Sequence, residues 1–261
     1  DDGLLKFGRH KKLQTLELGY TKVTDAGLKE LKNLPELVTL DLYGVKISDK
    51  GLAELADLKK LEGLTLSRTS ITDAGLKELR HLDQLEELNL NSTAVTDAGL
   101  AELSTLKNLT KLDLIGTKVT GSGFGTLQDV PLKEVNLDRA SVTDAGLAEL
   151  AKVQSVMELN LDHAALSGAG LQELAKLKNL TRLSLDKTNV SDAGMKELSK
   201  LQGLRSLSLD GAPVSDAGVA ELKKMKQLQF LGLRDSIITE KGVDELRKAL
   251  PQCNIRWGKT R

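Results

Sequence analysis

The chain has 261 residues, with 37 Lys and Arg against 37 Asp and Glu, so its formal net charge is zero. A neutral chain has no overall attraction for nucleic acid or anionic membranes, and we expect neither as a partner. No apolar run approaches the ~18 residues that a membrane-spanning helix requires, so we expect no membrane insertion. The single cysteine, Cys253, excludes an internal disulfide.

One pattern recurs along the whole chain. Leucine-type residues are spaced as LxxLxL, beginning at 13, 37, 61, 85, 109, 132, 156, 180, 204, 228 and 252. The step is 24 residues, except for one step of 23 between positions 109 and 132. A period of this length predicts a stack of strand–loop–helix coils in one elongated domain, not several globular domains.

The first coil begins inside the repeat. Asp1 precedes Leu13 by the same distance that separates Asp25 from Leu37, and His10 stands where later coils have a leucine. The spacing therefore predicts a truncated or degenerate first coil.

Residues 25–48 show one complete coil. Three leucines at steps of three predict one stripe of a helix or a 3₁₀ turn: Leu28, Leu31 and Leu34. The following segment, Leu37-x-x-Leu40-x-Leu42, predicts a short strand with its leucines facing inward. Ile47 is predicted to be buried at the next turn. Ser48 is predicted to be the N-cap of the next helix, with Asp49 in its first turn, where a carboxylate suits the helix dipole.

Two further columns recur between the leucines. A glycine stands in the third place of a DAG-like motif in every coil, from Gly3 to Gly242. Glycine costs a helix about 1 kcal/mol relative to alanine, so its repetition predicts close packing against the neighbouring coil. A threonine column follows the strands and is predicted to bond the loop backbone and brace adjacent coils: Thr21, Thr69, Thr93, Thr117 and Thr188.

The repeat LxxLxLxxTxVTDAGLxEL, as in Leu85 to Leu103, resembles the leucine-rich repeat superfamily in its bacterial 24-residue variety. It is also similar to the cysteine-containing type of F-box adaptor proteins, with Thr or Ala in place of the usual Asn or Cys. The resemblance covers essentially the whole chain. It implies an α/β solenoid, a right-handed superhelical arc with parallel strands on the concave face, short helices on the convex face and ligands mostly on the concave side.

With that resemblance, the prediction is a single leucine-rich repeat domain over residues 1–261, with about eleven coils. Its first coil is truncated, and its last coil, about 240–261, is a C-terminal cap in which Trp257 covers the preceding coil. The one-residue deletion falls in Gly121–Pro131, which carries three glycines. A phosphate loop would need a Lys-Ser/Thr ending that is missing here, and Phe124 replaces the helix leucine, so we predict a locally distorted convex helix.

The outward columns carry the candidate site. Side chains alternate along a strand, so the third and fifth residues of LxxLxL, and the residue after it, face outward. In the last of these columns four aspartates occupy successive coils: Asp138, Asp162, Asp186 and Asp210. Strands ~4.8 Å apart give this row a length of roughly 14 Å. Repulsion between neighbours is on the order of 1–2 kcal/mol before salt screening.

Three interpretations of the acidic row stay open. It is a solvated strip relieved by Arg139, His163 and Lys187, or it meets basic groups of a partner, or it binds calcium with Asn136 or Asn160, although no dedicated calcium loop is present. Aromatic and apolar residues favour a partner, because such residues anchor interfaces. The predicted partner-binding residues are Asp41, Tyr43, Asn91, Asp113, Ile115, Asn136, Asp138, Asn160, Asp162, Asp186, Asp210 and Phe230.

The sequence contains no convincing catalytic constellation. His163 beside Asp162, with Ser184 or Ser208 near, lacks a predicted oxyanion hole and a water-excluding pocket. We therefore expect a monomeric, non-catalytic module that binds a protein or peptide with basic groups on its concave face, without metal, cofactor or nucleic acid. The alternative is a structural spacer in a larger protein, with an unused concave face.

Overall fold

The computed structural model describes residues 1–259; Thr260 and Arg261, at the end of the predicted last coil, lie outside the described residues. Within residues 1–259, eleven strands form one parallel sheet in the order of the sequence. The fold is the predicted α/β solenoid. The strands are β1 Thr15–Glu17, β2 Thr39–Asp41, β3 Gly63–Thr65, β4 Glu87–Asn89, β5 Lys111–Asp113, β6 Glu134–Asn136, β7 Glu158–Asn160, β8 Arg182–Ser184, β9 Ser206–Ser208, β10 Phe230–Arg234 and β11 Asn254–Gly258.

Strand pairing follows the repeat. Leu40 pairs with Leu64, one full repeat later. Where the step is 23 residues, Leu112 still pairs with Val135, so the missing residue is absorbed outside the strand. A slip of one residue would turn the inward side chains outward. The kept register therefore aligns both the buried leucines and the outward columns from coil to coil.

The connections between strands contain two kinds of helix. In the N-terminal coils (residues 25–120), four-residue α-helices are each followed by a 3₁₀ helix: α2 Asp25–Leu28, α3 Asp49–Leu52, α4 Asp73–Leu76 and α5 Asp97–Leu100, followed by Lys29–Asn33, Ala53–Leu55, Lys77–His81 and Ala101–Thr105. Among the C-terminal coils (residues 144–239), the first three begin with seven-residue α-helices: α6 Asp144–Leu150, α7 Gly168–Leu174 and α8 Asp192–Leu198. The remaining helices are α1 Asp2–Phe7, α9 Val219–Leu222, α10 Glu240–Ala249 and the 3₁₀ helices Ser122–Leu127 and Asp216–Gly218.

The core is a continuous column of aliphatic side chains between the sheet and the helices. Leu28 from the helix stripe and Leu40 from the strand are both 0% exposed. Ile47 is 1% exposed, as predicted at the turn. Phe124 is fully buried in place of a leucine, which confirms its predicted position. Because apolar burial contributes about 25 cal/mol per Å², this column is the main source of stability.

A second interaction, the Asp–Thr ladder, joins each coil to the next near the helix start. The carboxylate of Asp49 accepts hydrogen bonds from the Thr72 backbone N–H at 2.8 Å and the Thr72 hydroxyl at 2.6 Å. The same arrangement recurs at other coils with Ser or Thr as donor. Its aspartates are Asp1, Asp25, Asp49, Asp73, Asp97, Asp144, Asp192 and Asp216.

The ladder explains the repeated glycine. A Cβ added at Gly75 would clash with the Asp49 carboxylate of the preceding coil, which is held in place by Thr72. At Gly146 the obstacle is the backbone carbonyl oxygen of Thr120. The prediction of close inter-coil packing is therefore confirmed, although in most coils the neighbour is a carboxylate and not backbone.

Two local predictions need correction. Ser48 makes no capping bond to its helix; its hydroxyl donates to Asp25 at 2.6 Å instead. Thr72, by contrast, serves both purposes, because its oxygen also accepts from the Ala74 N–H at 3.3 Å. The buried threonines bond their own coil: Thr93 donates to the Leu90 carbonyl at 2.7 Å. They fix the loop, as predicted, but do not bridge adjacent coils.

The deletion produces the predicted local distortion. Gly121 replaces a ladder aspartate and adopts a left-handed backbone conformation, φ 96°. Ser122–Leu127 is a 3₁₀ helix with no preceding α-helix. Asp97 compensates by accepting bonds from the backbone N–H groups of Gly121 and Gly123, both at 3.0 Å. Burial raises the pKa of Asp97, but these and the Thr120 hydrogen bonds together hold it below its ordinary value.

At the C-terminal end, the Trp257 indole N–H donates to the Ile238 carbonyl at 3.1 Å, and its ring packs against the core. A cap would make such a contact, and the role of residues 240–261 as a cap stays a prediction. At the other end, Leu4 is buried while Leu5 and Phe7 are 58% and 38% exposed. Among the described residues, every helix is too short or too polar to span a bilayer.

Candidate functional site

The outward columns lie on the concave face of the sheet. In β4, Asn89 is partly exposed while Leu88 and Leu90 on either side are buried. Because the strands are in register, Asn89 lies beside Thr65 and Asp113 of the adjacent strands. Each column therefore forms a row of side chains across the stack, available to a ligand from one side.

A depression of about 450 Å³, the central depression, lies in the middle of this face. Five of the twelve predicted residues line it: Asn91, Asp113, Ile115, Asn136 and Asn160. Charged side chains complete its wall: Lys111, Glu134, Glu158 and Arg182. Ile115 supplies an apolar contact, and the surrounding side chains supply hydrogen-bond donors and acceptors that a ligand can use.

The charges of the central depression are weakly paired. Lys111 lies 3.8 Å from Glu134, and Arg182 lies 3.0 Å from Glu158. Such surface pairs contribute about 0–1 kcal/mol, so a ligand can displace them at little cost. Burial raises the pKa of Asp113, and the repulsion of Glu134 adds to the effect despite the opposing attraction of Lys111. An approaching cation would stabilise this carboxylate.

The four concave aspartates Asp138, Asp162, Asp186 and Asp210 form the predicted row, and three of them accept a backbone hydrogen bond from the next coil. Asp162 accepts the Asp186 backbone N–H at 2.8 Å, Asp186 accepts that of Asp210 at 2.8 Å, and Asp210 accepts that of Arg234 at 2.7 Å. Three of the four carboxylates are therefore hydrogen-bond acceptors between coils, a role that the sequence did not indicate. Burial, followed by repulsion from the preceding aspartate, still raises the pKa of Asp210. For Asp186, burial is again the main cause of a raised pKa.

The residue two positions before each aspartate explains which group accepts its backbone N–H. In β7, Asn160 itself accepts the N–H of Asp162 at 2.8 Å, within one coil. In the following coils Ser184 and Ser208 replace the asparagine, and the aspartate of the preceding coil becomes the acceptor. Ser184 also donates its hydroxyl to Asp162 at 2.6 Å. In these coils the aspartates therefore accept the loop N–H groups that asparagine accepts in β7.

Asp138, at the start of the row, is different. Its Oδ1 lies 2.7 Å from His163 Nδ1, and its other oxygen lies 3.9 Å from Arg139. Asp138 thus contacts two of the residues predicted to relieve the row, Arg139 and His163, and the second carries charge only when protonated. Since Ser184 bonds Asp162 and His163 bonds Asp138, the imagined serine–histidine pair is not formed. Among residues 1–259, no three His, Cys, Asp or Glu side chains are grouped to hold a metal ion.

Aromatic residues mark the two ends of the face. Tyr43 packs edge-on against Tyr20 with ring centroids 4.8 Å apart, and the Arg68 guanidinium lies 5.6 Å from the Tyr43 ring centroid. Asp41, also predicted as a binding residue, accepts the Tyr43 N–H at 2.8 Å and so supports this corner. At the far end Phe230 is half-buried under Arg256. The twelve predicted residues thus form a central group, an aromatic corner, an acidic row and a separate Phe230.

Comparison with known proteins places this geometry in a family. The model of the family described as Leucine Rich repeat matches residues 9–32, 84–104 and 176–199. Three coils of the chain match that family, and the fold throughout is the leucine-rich repeat solenoid. An internalin C2 from Listeria monocytogenes is similar to the chain at 25% identity and a TM-score of 0.62, over 80% of this chain and 93% of that one. A second Listeria internalin, inlF, is 21% identical with a TM-score of 0.59, over 98% and 84%.

A plant peptide hormone receptor, RGFR1 in complex with RGF2, shares the leucine-rich repeat fold at 16% identity and a TM-score of 0.56. This chain is covered over 98% of its length but spans only 45% of that receptor. No curated protein sequence matches the chain. At these identities the internalin inlF and the receptor establish the fold alone.

Sequence reasoning missed the third-column charges of this leucine-rich repeat. Lys111, Glu134, Glu158 and Arg182 line the central depression but were not among the predicted site residues. Their signal was available, since the third residue of LxxLxL faces outward like the fifth. The depression itself had no such signal, because it depends on the lengths and ion pairs of side chains from adjacent coils.

Proposed function

We propose that this chain is a non-catalytic module that binds a protein or peptide through the central depression of its concave face. The observation that carries the proposal is the convergence there of half-buried Asp113 and Ile115 with asparagine side chains. An apolar contact surrounded by hydrogen-bonding groups suits an extended peptide or a protein loop. The leucine-rich repeat receptor in complex with RGF2 supports peptide binding by a related fold.

The partner carries basic groups. Asp113, Glu134 and Glu158 outnumber Lys111 and Arg182 in the central depression, and the concave aspartates extend the negative charge toward the C-terminal coils. Burial removes solvent from the Asp113 carboxylate and raises its pKa. A ligand cation would stabilise the ionised form and lower the pKa again. Charge attraction of this kind raises the association rate more than the final affinity and weakens with salt.

The experiment compares the double variant Asp113→Asn/Ile115→Ala with a matched control, Asp83→Asn/Ile237→Ala. The control makes the same two changes at exposed positions outside the central depression. Proteins retained by the wild-type chain are identified by mass spectrometry, and the affinity of each purified partner is then measured at two salt concentrations. We expect the first variant to bind at least tenfold more weakly and the control to bind normally. Equal binding by both variants and by Tyr43→Ala would contradict the proposed site.

One observation favours the spacer as a second candidate. Asp162, Asp186 and Asp210 are used in hydrogen bonds between coils, so the acidic row has a reason to exist without a ligand. A spacer would retain no partner above the background of the support resin. Loss of a specific partner in the first variant alone would exclude it.

A further inference from the structure

Arg205 lies where two depressions meet on the C-terminal coils. One, of about 500 Å³, lies on the concave face and includes Arg182 and Phe230. The other, of about 310 Å³, includes Met157 and Lys178. Thr181 and Arg205 line both depressions, which therefore form one continuous surface. We call it the Arg205 surface and define it by Met157, Glu158, Lys178, Arg182, Arg205 and Phe230.

The backbone of Arg205 is fixed while its charge is unused. Its N–H donates to the Thr181 carbonyl at 2.8 Å, and its own carbonyl accepts from the N–H groups of Gln229 and Phe230 at 2.7 and 3.1 Å. Within residues 1–259 its exposed guanidinium makes neither a hydrogen bond nor an ion pair. The nearby Arg182, in contrast, pairs with Glu158 at 3.0 Å. An unpaired, exposed guanidinium presents a planar pair of donors that matches a carboxylate.

Apolar side chains flank this cation on both sides. Met157 is 41% exposed, which is unusual beside strands whose other apolar residues are buried. Phe230 is half-buried, with the Arg256 guanidinium 5.3 Å from its ring centroid. Methionine and aromatic residues beside arginine are enriched where proteins bind one another. The surface therefore offers apolar contact together with three cations against one carboxylate.

We infer that the Arg205 surface binds a short acidic segment of a protein partner, with a carboxylate on Arg205 and an apolar side chain against Met157 or Phe230. A long polyanion fits poorly, because Asp186 follows β8 only four residues along the chain from Arg182 and adds negative charge nearby. The concave aspartates would thus repel the remainder of a nucleic acid strand. The inference rests on the proposed function only in that the partner is a protein; the Arg205 surface adjoins the central depression and shares Glu158 and Arg182 with it, but the sign of its net charge is opposite.

The test uses the full chain and a fluorescein-labelled ten-residue peptide of alternating Glu and Leu, followed by fluorescence anisotropy. We expect saturable binding that Arg205→Glu weakens tenfold or more and Met157→Ser about threefold. The matched control is Arg9→Glu, an exposed arginine of the first coil that is also unpaired within residues 1–259. It should change affinity less than twofold. Thermal unfolding of each variant verifies that the fold is intact.

Three results would overturn the inference: no saturable binding, equal loss with Arg9→Glu, or tighter binding of a single-stranded oligonucleotide that Arg205→Glu abolishes. A parallel titration with a peptide of alternating Lys and Leu separates this site from the proposed one. Asp113→Asn/Ile115→Ala should weaken the basic peptide and spare the acidic one, and Arg205→Glu should do the reverse. Failure of one peptide alone therefore identifies which of the two proposals is wrong.

Discussion

The N-terminal and C-terminal coils share one leucine pattern but hold their neighbours in different ways. In the N-terminal coils the Asp–Thr ladder is continuous from Asp1 to Asp97. In the C-terminal part it is interrupted where glycine replaces the aspartate, at Gly121 and Gly168. Ser191, opposite Gly168, makes no side-chain capping bond. The buried leucines are therefore compatible with more than one arrangement of the convex side.

The helices differ at the same boundary. In the C-terminal coils a glutamate pairs with a lysine three residues later: Glu149–Lys152, Glu173–Lys176, Glu197–Lys200 and Glu221–Lys224, at 2.5–2.7 Å. The N-terminal coils have no lysine at that place; Glu30, for example, meets Asn33 at 3.3 Å. Each such pair stabilises a helix by about 0.2–0.5 kcal/mol. We infer that the residues between the leucines select α-helix over 3₁₀ helix in coils with equal cores.

The largest expected effect tests whether buried leucines contribute equally to the free energy of unfolding in the N-terminal and C-terminal coils. Leu112→Ala in β5 and Leu183→Ala in β8 each remove a side chain that is at most 1% exposed. Each should cost about 2–5 kcal/mol through the cavity left behind. Because every coil touches only its neighbours, the two losses should agree within about 1 kcal/mol. Urea unfolding measures both, and a loss confined to one half would show that the halves do not share one cooperative core.

The next effect compares two glycines of the C-terminal part. In Gly146→Ala the new methyl group would collide with the Thr120 carbonyl oxygen, so we expect a loss of about 1–3 kcal/mol. In Gly168→Ala the methyl group meets nothing within 4 Å. This second change should stabilise α7 by up to about 1 kcal/mol, because alanine favours a helix. Thermal unfolding distinguishes the two, and similar losses at both positions would refute the steric argument.

A smaller effect comes from removing or adding a rung of the Asp–Thr ladder. Asp73→Ala deletes two hydrogen bonds to Thr96, at 2.7 and 2.6 Å, and should cost about 1–2 kcal/mol. Gly168→Asp should be more stable than Gly168→Ala by about 0.5–1 kcal/mol, because its carboxylate supplies Ser191 with an acceptor.

The control for these ladder variants is Asp83→Ala, at an exposed position outside the ladder, which should stay within about 0.5 kcal/mol of the wild type. Urea unfolding of all three variants gives the comparison. No gain from Gly168→Asp beyond that of Gly168→Ala would mean that the ladder bonds contribute nothing net.

The sequence was sufficient for the architecture, because leucines at fixed spacing have one way to be buried together. Strand positions, register and the distorted segment after Gly121 followed from that spacing. It was insufficient for bonds between coils. Ser48 stands at an N-cap position by local rules, and its hydroxyl donates to the Asp25 carboxylate of the preceding coil. That acceptor lies 23 residues away, and local patterns do not represent it.

The candidate site shows the same limit. Outward columns could be assigned by alternation, and five assigned residues do line the central depression. The sequence left the acidic row open as a solvated strip, a partner contact or a calcium site, because the acceptor role of Asp162 appears only when Ser184 replaces the asparagine of the preceding coil. Arg205 lies outside the alternating columns, in the second strand position, so the pattern gave no reason to select it.

The smallest expected effect is a difference in pH dependence between the halves. For Asp97, burial raises the pKa, but hydrogen bonds from Thr120 and Gly123 together lower it by more. The folded value therefore lies below the ordinary ~3.9. Its stabilisation is complete above that ordinary value and is lost as pH falls through the folded pKa. For Asp186, burial and then repulsion from Asp162 raise the pKa against the bonds it accepts. Its ionised form therefore costs stability above the raised pKa, and this cost disappears as pH falls toward the ordinary value.

Substitution by asparagine should consequently have opposite signs at the two sites. At pH 7 Asp186→Asn should stabilise the chain by roughly 0.5 kcal/mol or less, because the surface is partly solvated and the amide oxygen still accepts the Asp210 N–H. Asp97→Asn should destabilise it at pH 7, since a neutral amide is a weaker acceptor for the four groups that bond Asp97. Urea unfolding at pH 7 and near pH 4 measures both, and the Asp186→Asn gain should shrink at the lower pH. A loss with Asp186→Asn at pH 7 would mean that its negative charge stabilises the hydrogen bonds between coils by more than repulsion costs, and the acidic row would then be part of the scaffold.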